Sequence, residues 1–204
     1  MSRVPNARLT RYPAVCTLAL AIAGPASAGF TLYWDKPSWE AAVPGATTLS
    51  FSEFTDGAFL TDQYASLGVT FLNGDDQVTF GPITYPEDGW GIDANADCHL
   101  LFDSDQFALA VLHPGLMKLK LYNDGTLVYS SFALGGSGYG FFNGVVSSVP
   151  FDEAVILAAV GSQINIDDIY FGVPAPGVLP ALLAAPMLMR SRRRRLPRAA
   201  VVES

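Results

Sequence analysis

Met117-Lys118-Leu119-Lys120-Leu121-Tyr122-Asn123-Asp124-Gly125 is the stretch that decides the fold class. Apolar residues and lysines alternate at a period of two, which places Met117, Leu119 and Leu121 on one face of a strand and Lys118 and Lys120 on the other. The Asp124-Gly125 step supplies the positive φ of a tight hairpin turn, and Leu127–Phe132 follows as the returning strand. Outward from this hairpin, short apolar runs recur between Gly, Pro, Asn and Asp, with no long segment of helical periodicity between Gly29 and Gly172. Besides 117–122 and 127–132, the strands expected are 30–34, 47–52, 68–72, 77–80, 99–102, 107–112, 145–148, 154–159 and 163–171. About eleven short strands suit an all-β fold, a jelly-roll-like antiparallel β-sandwich. One short helix is expected at 37–42, capped by Asp35, with Trp39 facing the core.

The charge of this 204-residue chain is distributed unevenly. Residues 29–173 carry 18 Asp and Glu against three Lys, a net charge of -15, without one Arg. Phosphate binding needs a basic patch, so this composition argues against nucleic acid as a partner of this region. Its richness in Phe, Tyr, Leu, Val and Ile equally argues against an acidic disordered chain.

The two ends are basic and apolar. Arg3, Arg8 and Arg11 precede the apolar run 14–23 and the small triplet Ala26-Ser27-Ala28, the order of a secretory signal peptide cleaved after Ala28. A run of about ten residues is too short to span a bilayer that needs roughly 20. Removal of 1–28 takes Cys16 with it and leaves Cys98 alone, so a disulfide framework is not expected. At the other end Val173-Pro174-Ala175-Pro176 leads into the apolar stretch 177–189 and then Arg190-Ser191-Arg192-Arg193-Arg194-Arg195. Arginines after a greasy segment hold that end on the cytoplasmic side.

This tail resembles the PEP-CTERM sorting signal of Gram-negative bacteria, with Ala175 where glutamate is usual. The resemblance implies export, a transient hold in the inner membrane by a C-terminal helix, and recognition by an exosortase, a membrane cysteine transpeptidase. It divides the chain into a signal helix (1–28), an ectodomain (29–172) and a sorting segment (173–204). It also implies a place at the cell surface or in the extracellular matrix, alongside exopolysaccharide in a biofilm. The ectodomain resembles those that commonly precede this signal, through Phe51-Ser52-Glu53-Phe54, Gly57, Leu60, Tyr64, Leu67-Gly68-Val69-Thr70-Phe71, Pro150-Phe151-Asp152 and Ile166-Asp167-Asp168-Ile169. That likeness implies a fold like a carbohydrate-binding module.

Three kinds of site are expected. Jelly-roll modules of this kind often join their terminal strands through a structural Ca²⁺, which would draw on Glu53 and Asp168. The apolar phase of the last strand switches at Asp167-Asp168, where a bulge would turn a carboxylate toward the sheet. The alternative is that both acids are solvated at a strand edge. Asp93, Asn95 and Asp97 alternate like the start of a calcium loop, but Cys98 and Ser104 stand where an EF-hand needs Gly and Glu, and a solvated turn is the other reading. For carbohydrate, Trp90 in the loop 85–91 and Tyr139, Phe141 and Phe142 after the glycine run 135–138 offer stacking faces, unless they fold inward. Catalysis has little to draw on. His99 and His113 are the only histidines, and Gly135-Gly136-Ser137-Gly138-Tyr139 misses a nucleophile elbow at its fifth position. The expected function is therefore polysaccharide association by an exported β-sandwich. The alternatives are a polysaccharide-degrading or modifying enzyme with a carboxylate pair, and a structural coat protein without a specific ligand.

Overall fold

Two long strands organise the domain. The computed structural model describes residues 29–175; the expected signal segment 1–28 and the tail from Pro176 onward, including Arg192, Arg193, Arg194 and Arg195, lie outside the described residues. In chain order the elements are β1 (Phe30–Tyr33), α1 (Lys36–Ala42), β2 (Thr47–Leu49), β3 (Val69–Phe71), β4 (Gln77–Phe80), β5 (Trp90–Ala94), β6 (Asp97–His113), β7 (Leu116–Asn123), β8 (Thr126–Ser130), β9 (Leu134–Gly135), β10 (Phe141–Ala158), β11 (Ile164–Ile166) and β12 (Asp168–Gly172), with a 3-10 turn at Ala65–Leu67.

The described pairs are all antiparallel. They form a nine-stranded sheet in the order β2-β12-β6-β10-β7-β8, with β1, β3 and β9 added at its sides, and a three-stranded sheet β11-β5-β4. The hairpin that opened the sequence analysis is β7–β8, and Asp124 and Gly125 take φ of 48° and 70° at its turn.

β6 and β10 pair along nearly their whole length, with register shifts on either side of Phe151. Each changes its outer neighbour along the way. β6 pairs β3 at 100–102 and β12 at 108–112, while β10 pairs β1 at 144–147 and β7 at 153–158. The main core lies on the face that carries Leu100, Leu109, Val111, Leu119, Leu121, Val145, Ile156, Ile169 and Phe171.

A second, smaller core covers the opposite face of one half. There Trp39, Ala42 and Val43 of α1 and its end pack on Ala108, Ala110, Leu112, Phe142, Val146 and Tyr170. Asp35 caps α1 as expected, its Oδ1 accepting from the Ser38 amide at 2.9 Å. The indole needs a glycine beneath it, because a Cβ at Gly144 would lie 2.3 Å from Trp39 Cδ1.

Four sequence expectations change. The runs 99–102 and 107–112 are one strand, since Asp103, Ser104 and Asp105 continue β6 as an exposed polar stretch where their composition suggested a turn. Likewise 145–148 and 154–159 merge in β10, whose irregular register accommodates Pro150. The run 47–52 pairs only to Leu49, and Phe51 is buried at φ 64°, an uncommon conformation for a side chain that size. Finally, Trp90 opens β5, where a loop was expected.

Candidate functional site

A groove opens where the β6–β7 turn, the β9–β10 loop and the β10–β11 connection converge. Pro114, Gly115 and Leu116 line it on one side, Ser137, Gly138 and Tyr139 on another, and Val160 with Gln163, Ile164 and Asn165 on the third. Its volume is about 410 Å³, within the range that accommodates a small ligand. Backbone hydrogen bonds fix the walls: Gly115 N donates to Gly138 O at 2.8 Å, Gly136 N to Gly115 O at 3.1 Å, and Ala159 N to Leu116 O at 3.1 Å. Gly135 is required here, since at φ 92° its Cβ would sit 2.2 Å from Gly115 O.

Tyr139 presents its ring to solvent at 58% exposure. Asn165 donates to Tyr85 Oη at 3.0 Å, and that hydroxyl donates onward to Ile92 O at 3.2 Å. Gln163 Nε2 donates to both carboxylate oxygens of Asp93. The groove thus combines an aromatic face with two braced amides and the Ser137 hydroxyl, and none of its lining residues is Asp, Glu or His. The amides escaped the sequence reading because Asn165 sits in a short, otherwise ordinary strand and Gln163 just before it. Their role depends on which loops face them.

Of the other expected aromatics, Phe142 is buried beneath α1, and Phe141 is half-buried against Gly136 and Gly138. Trp90 is partly buried, packing on Phe80 with ring centroids 5.0 Å apart, while its amide donates to Asp88 Oδ1 at 2.8 Å. Its loop approaches the Tyr139 loop at Gly140, whose Cβ would lie 3.3 Å from Pro86 Cγ.

Asp167 and Asp168 do mark a break, as the phase switch implied. The run expected as one strand divides there, β11 joining the small sheet and β12 the large one. Both acids are buried. Asp167 accepts from the Glu87 amide at 3.3 Å, and burial pushes its carboxyl up to about 7, helped by Asp168, Asp88 and Glu87. Asp168 accepts from the Tyr170 hydroxyl at 2.5 Å, and burial raises it too, although that bond and the Lys36 ammonium oppose the rise. Lys36 bonds Glu87 at 2.9 Å and lies 4.9 Å above the Tyr170 ring. Glu53 is exposed and faces a different group, the buried hydroxyl of Tyr64.

Asp93, Asn95 and Asp97 are divided between two surroundings. Asp93 turns to Gln163, whereas Asn95 and Asp97 join the loop 73–76: Asn95 Nδ2 donates to Asp75 Oδ2 at 3.1 Å, and Asn73 Nδ2 donates to Asp97 O at 2.8 Å and Oδ1 at 3.0 Å. Beside them Asp76 is fully buried, and burial followed by Asp75 pushes its carboxyl up to about 7. The Cys98 thiol next to it is driven well up by burial and by Asp76, so it stays protonated and unreactive. Among the described residues, no group of three or more His, Cys, Asp or Glu is arranged to hold a metal ion.

The histidines do not form a catalytic pair. His113 is buried, its Nδ1 donating to Pro114 O at 3.2 Å and its Nε2 accepting from Asn143 at 2.9 Å, and burial lowers its pKa to about 4. His99 instead pairs with Glu153 at 2.7 Å on the open side of β6 and β10. Of the residues expected as a sorting motif, Val173, Pro174 and Ala175 are described. Val173 is exposed, Pro174 is buried, and the Ala175 amide donates to Ala42 O at 2.9 Å.

No protein-family model matches the chain, and no curated protein matches it. Among solved structures, a mutant of a family 29 carbohydrate-binding module, studied for its mechanism of ligand recognition, is similar over 72% of this chain and 94% of its own. The identity is 12% and the TM-score 0.30. At that level the likeness adds nothing to the strand pairing described above.

Proposed function

We propose that this is an exported surface or matrix protein that binds extracellular polysaccharide in the groove at Tyr139. The observation that carries the reading is the groove itself: an exposed aromatic ring beside Gln163, Asn165 and Ser137, with no acid or histidine in its lining. A sugar ring offers an apolar face that stacks on an aromatic side chain and hydroxyls that pair with amides, so the wall chemistry suits a neutral glycan. Hydrolysis would need two carboxyl groups about 5 to 9 Å apart across the bond, and none of the lining residues carries one, Asp93 behind them being engaged by Gln163. Export through residues 1–28, with Ala28 at the cleavage point, and exosortase sorting through the tail that begins at Val173 complete the proposal. Both rest on the order of charged, apolar and small residues in the sequence.

The test is retention of the full chain on the producing cell's own extracellular polysaccharide, with polymer length followed in parallel. Retention without shortening is expected, and Tyr139→Ala is expected to weaken it roughly tenfold, the scale of one lost aromatic contact. Equal retention by that variant would remove the groove from the account. Shortening of the polymer would favour the enzyme.

A further inference from the structure

The buried Asp76 lacks something that the protein does not supply. Its side chain is 0% exposed, and its one polar neighbour is the Cys98 thiol, a weak donor; among the described residues neither carboxylate oxygen meets an N–H, a hydroxyl or a cation, and Asp75 Oδ1 is buried and unpartnered as well. Asp97 adds a third negative charge that acts on Asp76. Asp76 cannot easily leave, because its carbonyl accepts from the Leu60 amide at 2.9 Å and the next residue, Gln77, bridges Phe59. Asn73 and Asn95 tie the segments 73–76 and 95–97 together. The contrast is with Asp168, on which Lys36 and the Tyr170 hydroxyl act, and with Asp167, which accepts from the Glu87 amide. Residues 29–175 contain only three cationic side chains besides histidine, namely Lys36, Lys118 and Lys120. Lys36 serves Glu87 and Asp168, while Lys118 and Lys120 project from β7 on the face opposite Met117, Leu119 and Leu121. Buried charge without a partner is among the costliest arrangements a fold can contain.

We infer that Asp75 and Asp76 bind a hard divalent cation of the Ca²⁺ class between the loop 73–76 and the start of β6. Two aspartates supply the anionic ligands, and a cation that takes six to eight oxygens completes its shell from backbone carbonyls, amide oxygens and water. Asp97 acts as a neighbouring charge, which is consistent with three acids not converging on one point. The ligands are oxygens, and the one soft donor nearby, Cys98, is a buried thiol, which disfavours a thiophilic metal. The cation would pin the small sheet to the large one, since β4 begins at Gln77 and β6 at Asp97. This site is separate from the groove and does not depend on what the groove binds.

The experiment is thermal unfolding and calorimetric titration of the full chain at pH 8 with CaCl₂, against chelator and against NaCl at matched ionic strength. One Ca²⁺ per chain and a rise in Tm of several degrees are expected, absent in the NaCl control. Asp76→Asn is expected to abolish both and, in chelator, to melt at or above the wild-type temperature because an uncompensated buried charge is gone. Asp168→Asn should retain the Ca²⁺ response. No response in the wild type, or a response that survives Asp76→Asn, overturns the assignment. If Asp76→Asn does not fold, Asp75→Asn decides by the same criterion.

Discussion

The same two strands are buried on both faces at one end and open on one face at the other, and the difference teaches where this fold concentrates its stability. Around 108–112 and 142–146, β6 and β10 lie between the main core and the Trp39 cluster beneath α1. Around 97–102 and 153–158 the inward residues Cys98, Leu100 and Ala154 are equally buried, but Leu101, His99 and Glu153 look outward to solvent. A seven-residue helix makes the difference. It covers the second face, which is why residues 107–112 read Phe-Ala-Leu-Ala-Val-Leu, while burial alternates residue by residue along 97–102.

The sharpest way to break the comparison is to remove the helix's anchor. Trp39→Ala is expected to cost about 3–5 kcal/mol in urea unfolding, as large buried aromatics do. Leu101→Ala on the open face should stay within about 0.5 kcal/mol. Similar losses at the two positions would show that α1 does not form a second core.

Next in size is the pH response of the doubly covered end. His113 is neutral when folded, with its pKa lowered by burial to about 4, below the ordinary 6.5 of the unfolded chain. Above pH 6.5 it is neutral in both states and has no effect. As pH falls from 6.5 toward 4 the unfolded state takes up a proton that the folded state refuses, and on the order of 3 kcal/mol is lost across that window. His113→Gln should flatten that part of a stability profile, whatever it costs at neutral pH. A slope unchanged by the substitution would mean that His113 is protonated in the fold. Asp167 acts in the opposite sense. Its raised carboxyl holds a proton in the folded state, so it lowers stability as pH rises from about 4 through 7.

The smallest effect belongs to the open end. The His99–Glu153 pair is about a quarter exposed on each side. Glu153→Gln is therefore expected to change stability by less than about 1 kcal/mol, read from the urea midpoint at pH 6. A loss as large as that of Trp39→Ala would place this pair in a structural network of its own.

Legibility in the sequence followed the range of the interaction. The β7–β8 hairpin, the Asp35 cap and the strand at 77–80 were all readable, because each is set by residues within one turn or one strand of each other. The break at Asp167 was readable as a change of phase, but its meaning, a chain passing from one sheet to the other, was not. Strand length was misread where an exposed polar stretch carries the strand across an irregular register, as at 103–105. Among the site residues, Tyr139 was found from its glycine-rich surroundings, whereas Gln163, Asn165 and Asp76 carry no local mark.

By itself the sequence determined the β periodicity, the tight turn at Asp124-Gly125, the helix start at Asp35 and a body of -15 between basic ends, because composition and short-range spacing suffice for these. Only the tertiary structure decided that β6 and β10 run through both halves of the large sheet, that Trp39 covers Gly144, that Tyr139 meets Gln163 and Asn165, and that Asp76 is sealed against Cys98. Those outcomes join residues tens of positions apart. What selects them is the burial of apolar surface over the whole chain, a quantity that no local pattern records.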